Sequence, residues 1–147
     1  MSGKRELSSP LLLIHVVSRQ TDKLFAKHAP ASGPSSREYA VLEAVASADG
    51  LNQTAIMAAT GLDRSSTSDV VRRMVAKGLL RRRRTKRDVR QYAVRITKQG
   101  LERLNEGRAG ARAAEAELLA KLTRIQRESF VATLKTLANL TAEGVVF

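Results

Sequence analysis

His15 and His28 are the only imidazoles in a chain of 147 residues, and there is no cysteine. Acid–base or nucleophilic catalysis needs such groups set against a partner. The chain offers neither a Gly-rich phosphate loop nor a pair of acids on one periodic face, so it reads as not an enzyme. Two imidazoles and scattered carboxylates give no metal-ligand cluster. Without thiols there is no disulfide or redox switch, which leaves sensing to reversible binding, and no cofactor is expected. The side chains equipped for chemistry are cations. From Arg72 to Arg95 there are eleven Lys or Arg against Asp88 alone, so nearly all of the formal charge of +12 sits in one short segment. Such a focused field draws in a polyanion, because phosphate neutralisation by Lys and Arg supplies most nonspecific nucleic-acid affinity. Taken alone, the same run also suits a solvated face or a patch for acidic lipid.

The surrounding pattern says what would hold those cations. Asp49-Gly50 breaks one helical run, and residues 51–60 read as a short helix stopped by Gly61. Asp63 then serves as N-cap for a helix over 64–77 that buries Thr67, Val70, Val71 and Met74 and stops at Gly78. Two short helices joined through Gly61-Leu62 make a helix-turn-helix. Beyond Gly78 the period changes: residues 80–85 and 90–96 are arginine-rich or β-branched runs around Lys86-Arg87-Asp88-Val89, a hairpin with a loop.

On either side lie longer helices. Leu11, Leu12, Ile14, Val17, Leu24 and Phe25 set one over 10–28, and Ser35 and Glu38 form a capping box for another that reaches about residue 47 and buries Tyr39, Leu42, Val45 and Ala46. Thr97 restarts helix to about residue 121, with a bend or weak point expected at Gly107 and Gly110. A second capping box, Thr123 with Gln126, opens a last helix whose apolar stripe includes Ile125, Phe130, Leu134, Leu137 and Leu140. The fold class is therefore mainly α with a small β-hairpin. A winged helix-turn-helix lobe spans 35–97, and a helical dimerisation region is built from 1–34 and 98–147. Terminal helices with long apolar stripes cannot bury them in one small domain, which predicts a homodimer. The apolar run 11–17, interrupted by His15, is far short of the roughly 20 residues that a membrane-spanning helix needs. It is followed by no signal-peptide cleavage site, and a cytoplasmic protein without a membrane partner is expected.

Three stretches together resemble the MarR family of bacterial transcription regulators. They are residues 51–62; Val70 to Leu80; and Arg81 to Gly100, which contains Asp88-Val89-Arg90 and Arg95-Ile96-Thr97-Lys98-Gln99-Gly100. The resemblance runs along nearly the whole chain in order. It implies a homodimeric, ligand-responsive repressor that binds a palindromic operator in double-stranded DNA. A recognition helix enters the major groove by its N-terminal half, which makes Arg64, Ser65, Ser66, Ser68, Asp69, Arg72 and Arg73 the candidate contacts. Asp69 departs from many relatives: it either accepts from a cytosine amino group or pairs with Arg72 or Arg73. In the wing, Arg87 and Arg90 are placed at the minor groove and Arg82 and Arg84 at phosphates, while the Asp88 carboxylate keeps the tip in shape.

The resemblance also implies an effector between the dimer helices and the DNA-binding lobe, an aromatic carboxylate or an aromatic acyl-CoA thioester. By position His15, Ser18, Arg19, Tyr39 and Leu42 face that cleft, although a histidine in an apolar stripe, as His15 is, is more often a core histidine than a ligand contact. Lys23, Lys27, Arg108 and Arg112 are available to thioester phosphates, or are simply solvated. The competing reading is a ligand-independent winged-helix protein that binds RNA or shapes the chromosome, with no palindromic preference and no ligand response.

Overall fold

A computed structural model describes residues 8–87 and 91–140. Within them the order is α1 (Pro10–His28), α2 (Ser36–Ala46), α3 (Gln53–Thr60), α4 (Arg64–Ala76), β1 (Leu80–Arg84), β2 (Tyr92–Ile96), α5 (Lys98–Leu119) and α6 (Arg124–Leu140). Both capping boxes form. The Ser35 hydroxyl accepts from the Glu38 amide at 3.2 Å while the Glu38 carboxylate takes the Ser35 amide, and Thr123 and Gln126 make the same exchange. Each satisfies backbone donors that a helix start leaves open.

One core organises the lobe. Val41, Leu42 and Val45 of α2, Ile56 of α3, Val70, Val71 and Met74 of α4, Leu79, Leu80, Val94 and Leu104 of α5 form a single buried cluster. The strands pair antiparallel with Leu80 opposite Ile96, Arg82 opposite Val94 and Arg84 opposite Tyr92. Leu51 does not begin α3, as its apolar character had implied. It exchanges two backbone hydrogen bonds with Val94, at 3.1 and 2.8 Å, and so adds a third rung beside β2. The helix starts two residues later, where the Asn52 side chain accepts from the Ala55 amide. A strong N-cap outweighed the apolar periodicity that had placed Leu51 in the helix.

α5 runs unbroken through Gly107 and Gly110. These glycines are contact points. A Cβ on Gly107 would lie 2.7 Å from the Tyr39 ring and 2.8 Å from Pro34, and one on Gly110 would lie 2.9 Å from the Ala29 Cα. Gly100 has the same logic in the first turn, where its bare Cα faces the Leu79 carbonyl and Ile96. Thr97 caps that turn, accepting from the Gly100 amide while donating toward the Gly78 and Leu79 carbonyls. The strand-to-helix restart is thus one packed corner, and it fixes α5 against the wing.

Candidate nucleic-acid interface and effector cavity

The buried face of α4 carries Thr67, Val70, Val71 and Met74, which leaves Arg64, Ser65, Ser68, Arg72 and Arg73 exposed on the other side. The Asp63 carboxylate caps the helix. It accepts from the Ser66 amide at 2.7 Å and from the Ser65 and Ser66 hydroxyls at 3.0 and 3.1 Å, and the amide bond foremost holds its carboxyl below the usual range. Ser65 and Ser66 are therefore engaged in the cap. Asp69 accepts from Arg72 at 2.7 Å and lies 3.3 Å from Arg73, and the Arg72 hydrogen bond lowers its pKa. Of its two readings the intrahelical one is what the geometry contains.

Arg81, Arg82, Arg83 and Arg84 are all exposed along β1. Strand alternation puts Leu80, Arg82 and Arg84 on one face. The Arg84 guanidinium lies 5.7 Å from the centre of the Tyr92 ring, a cation–π contact that holds the arginine against the sheet. Arg87 is exposed beyond the strand, whereas Asp88, Val89 and Arg90 fall outside the described residues. Between α4 and the wing lies a cleft of about 320 Å³ whose walls include Arg64, Ser68 and Arg82. Asn52, Gln53, Thr54, Gln91 and Tyr92 join it. None of these is among the contacts expected from the sequence, which come from α4 and the arginines of the wing alone. The Gln53 side chain also donates to the Arg64 carbonyl at 3.2 Å, which ties the two helices at that face. The nearest available signal was the polar run Asn52-Gln53-Thr54 at a helix start.

A second cavity, of about 530 Å³, opens between α1, α2, α5 and α6. Of the five residues expected to face an effector, Tyr39 alone lines it. Leu42 is fully buried in the lobe core, one turn further along α2 and turned inward. His15, Ser18 and Arg19 lie on the exposed early turns of α1, which this chain leaves uncovered; His15 is accordingly no core histidine of the single chain. Phe25 and Tyr39 meet at 5.2 Å between ring centres. The Tyr39 hydroxyl donates to Glu43 at 3.1 Å, and burial first, then the Glu43 charge, pushes its pKa up to about 12. Arg108 holds both Glu43 oxygens at 2.7 and 3.0 Å, which keeps that carboxyl low. Lys27 and His28 both reach Glu117. Two of the four cations considered for a thioester, Lys27 and Arg108, thus have acidic partners already, and Lys23 and Arg112 are exposed.

The cavity and α4 are linked through α2. The Ser36 hydroxyl donates to Asp22 of α1 at 3.0 Å. Two residues on, Glu38 meets Lys77 at the end of α4 at 3.0 Å. Burial works to raise the Glu38 carboxyl, yet Lys77, the Ser35 amide and Arg73 together bring it below its ordinary value. The described residues contain no cluster of three or more metal-ligating side chains, and no helix among them is long and apolar enough to cross a membrane.

A family model described as "MarR family" matches residues 32–91. A transcriptional regulatory protein for the hcr operon of Thauera aromatica is 30% identical over 105 residues, covering 71% of this chain and 63% of that relative. The chain therefore spans less than two thirds of that relative's length. The transcriptional regulator HosA of Escherichia coli O157:H7 is 28% identical, covering 69% of this chain and 76% of its own. Among solved structures, the PcaV transcriptional regulator from Streptomyces coelicolor in complex with its natural ligand superposes with a TM-score of 0.82 at 26% identity, over 95% of this chain and 98% of that one.

Proposed function

We propose that the chain, which is similar to the MarR family, is a cytoplasmic, homodimeric transcriptional repressor of that family that reads a palindromic operator and is released from it by a small aromatic effector. The observation that carries the DNA reading is the convergence of Arg64 and Ser68 from α4 with Arg82 from β1 on one cleft. A major-groove helix and a phosphate-binding wing have to face the same side of a duplex, and a shared cleft supports that arrangement. Arg72 on the same helix and Arg87 beyond β1 are exposed as well.

The dimer reading rests on apolar side chains that the single chain leaves in solvent. Leu11, Leu12, Leu13 and Ile14 on α1 and Ile125, Leu134 and Leu137 on α6 are each more than 40% exposed. Patches of this kind on a small protein mark an interface. The effector reading is supported by the cavity beside Tyr39, whose volume lies in the range of small-molecule sites. It is supported also by the likeness to PcaV, whose structure holds that protein's natural ligand.

The deciding experiment is a footprint on DNA flanking the protein's own gene. Two protected half-sites about one helical turn apart are expected of a dimer on a palindrome. Uniform protection without half-sites would instead support a nucleic-acid-coating role.

A further inference from the structure

Resting on that reading of a sequence-specific DNA-binding regulator, we infer that Asp69 is a positioning residue: it holds Arg72 for a forked contact to guanine in the major groove and keeps it off phosphates. Ser65, Ser68, Asp69 and Arg72 follow one another at three- and four-residue spacing along the outward ridge of α4, opposite its buried face. A carboxylate in the middle of a face that meets a polyanion opposes binding unless it serves the cations beside it. Asp69 does serve them. One of its oxygens accepts from Arg72 at 2.7 Å, and the other lies 3.3 Å from Arg73.

The two arginines are not equivalent. Arg73 stands between two acids, since its charge also acts on the Glu38 carboxylate, and its side chain is 52% exposed against 73% for Arg72. Arg72 makes the direct hydrogen bond, and among the described residues Asp69 is its one acidic partner. Side chains on a helix lean toward its N-terminus. A carboxylate three residues earlier therefore draws the Arg72 guanidinium back over the half of α4 that a groove admits. The bond uses a single N–H, and the rest of the planar fork is left for the O6 and N7 acceptors of guanine. Charge works in the same direction. The paired carboxylate cancels the pull of phosphates on Arg72 while its hydrogen-bonding geometry stays intact. On β1, by contrast, no described carboxylate pairs with Arg81, Arg82, Arg83 or Arg84. The wing thus carries free charge for the backbone, and α4 a neutralised fork for a base.

Selection from a pool of randomised duplexes tests this on the full-length protein, comparing the parent with Asp69→Asn and Arg72→Ala. An exposed ion pair adds little to folding, so neither substitution threatens the fold. The parent should enrich a G·C pair at one fixed position of each half-site, and both variants should lose that preference while keeping the rest of the site. Replacing that pair by A·T in the selected duplex should weaken the parent about tenfold and Asp69→Asn about threefold or less. On unrelated duplex DNA, Asp69→Asn should bind more tightly, with a salt slope steeper by about one as the freed Arg72 takes a phosphate, whereas Arg72→Ala should leave that slope unchanged. Undiminished discrimination in Asp69→Asn would overturn the inference, as would an Arg72→Ala protein that keeps the G·C preference. A preference lost in Asp69→Asn but retained in Arg72→Ala would make Asp69 itself the base reader. A parent that enriches no sequence would overturn the inference together with the regulator reading, and that failure is told apart because it appears before any substitution is made.

Discussion

The lobe and the terminal helices use the same amphipathic periodicity to opposite ends. In the lobe every large side chain of the stripe meets a partner within the chain: Leu42, Ile56, Met74, Leu80 and Leu104 are all essentially inaccessible to solvent. On α1 and α6 the stripe is equally regular, yet Leu11 remains 67% and Ile125 74% exposed. Periodicity records that a face is to be buried; it does not record against what. α1 makes the point within one helix, since Phe25 near its C-terminus is buried while the early turns, from Leu11 to Val17, stand open.

The largest effect should come from breaking the closed side of this contrast. Leu42→Ala removes a fully buried side chain from a core with no solvent access. A loss of about 3 kcal/mol is expected in urea unfolding. That loss should be the same in dilute and concentrated samples, because the packing is intramolecular. A loss below about 1 kcal/mol would mean that the lobe is packed more loosely than its burial indicates.

Leu134→Glu attacks the open side. In an obligate pair, stability is inseparable from protomer concentration, so the melting temperature of the unaltered protein should rise with concentration. The variant should sediment as a monomer and lose that dependence. A Leu134→Glu protein that stayed dimeric with unchanged melting would put the interface elsewhere and erase the distinction between the two regions.

The same contrast explains what was legible in the residues. Caps and turns were read correctly because their chemistry is local: Ser35 with Glu38, Thr123 with Gln126, Asp63, and Gly61 and Gly78, both at positive φ. The buried face of α4 followed from spacing alone. What depended on a distant neighbour was misread or missed. Gly107 and Gly110 look like helix weak points until Tyr39, Pro34 and Ala29 are seen against them. Leu51 looks helical until Val94 takes its backbone. Leu42 was given to the effector cleft because sequence position cannot tell which side of α2 faces α1 and which faces the lobe core.

A smaller effect is expected where the regions are tied together. Burial works to raise the Glu38 carboxyl, but its pairing with Lys77, helped by the Ser35 amide and Arg73, holds it below the ordinary value of 4.5. A depressed carboxyl contributes stability above its unfolded pKa and loses it as pH falls through the folded one. Lys77→Met should therefore cost about 1 kcal/mol at neutral pH. The gap between variant and parent should close in acid, below the ordinary carboxylate value. A gap independent of pH would assign the loss to packing of the Lys77 stem.

The smallest change in the fold, and the most informative about function, lies on the outer surface of the lobe. Arg82 is exposed, contributes to no core, and stands on the cleft between α4 and the wing. Arg82→Ala should leave unfolding unchanged and weaken DNA binding to operator and unrelated sequences alike, because a phosphate contact carries no base information. Each neutralised phosphate contributes close to one unit to the slope of log affinity against log salt, so that slope should fall by about one. Were operator affinity to drop while the slope held, Arg82 would be reading a base, and the division of labour between wing and recognition helix would have to be redrawn.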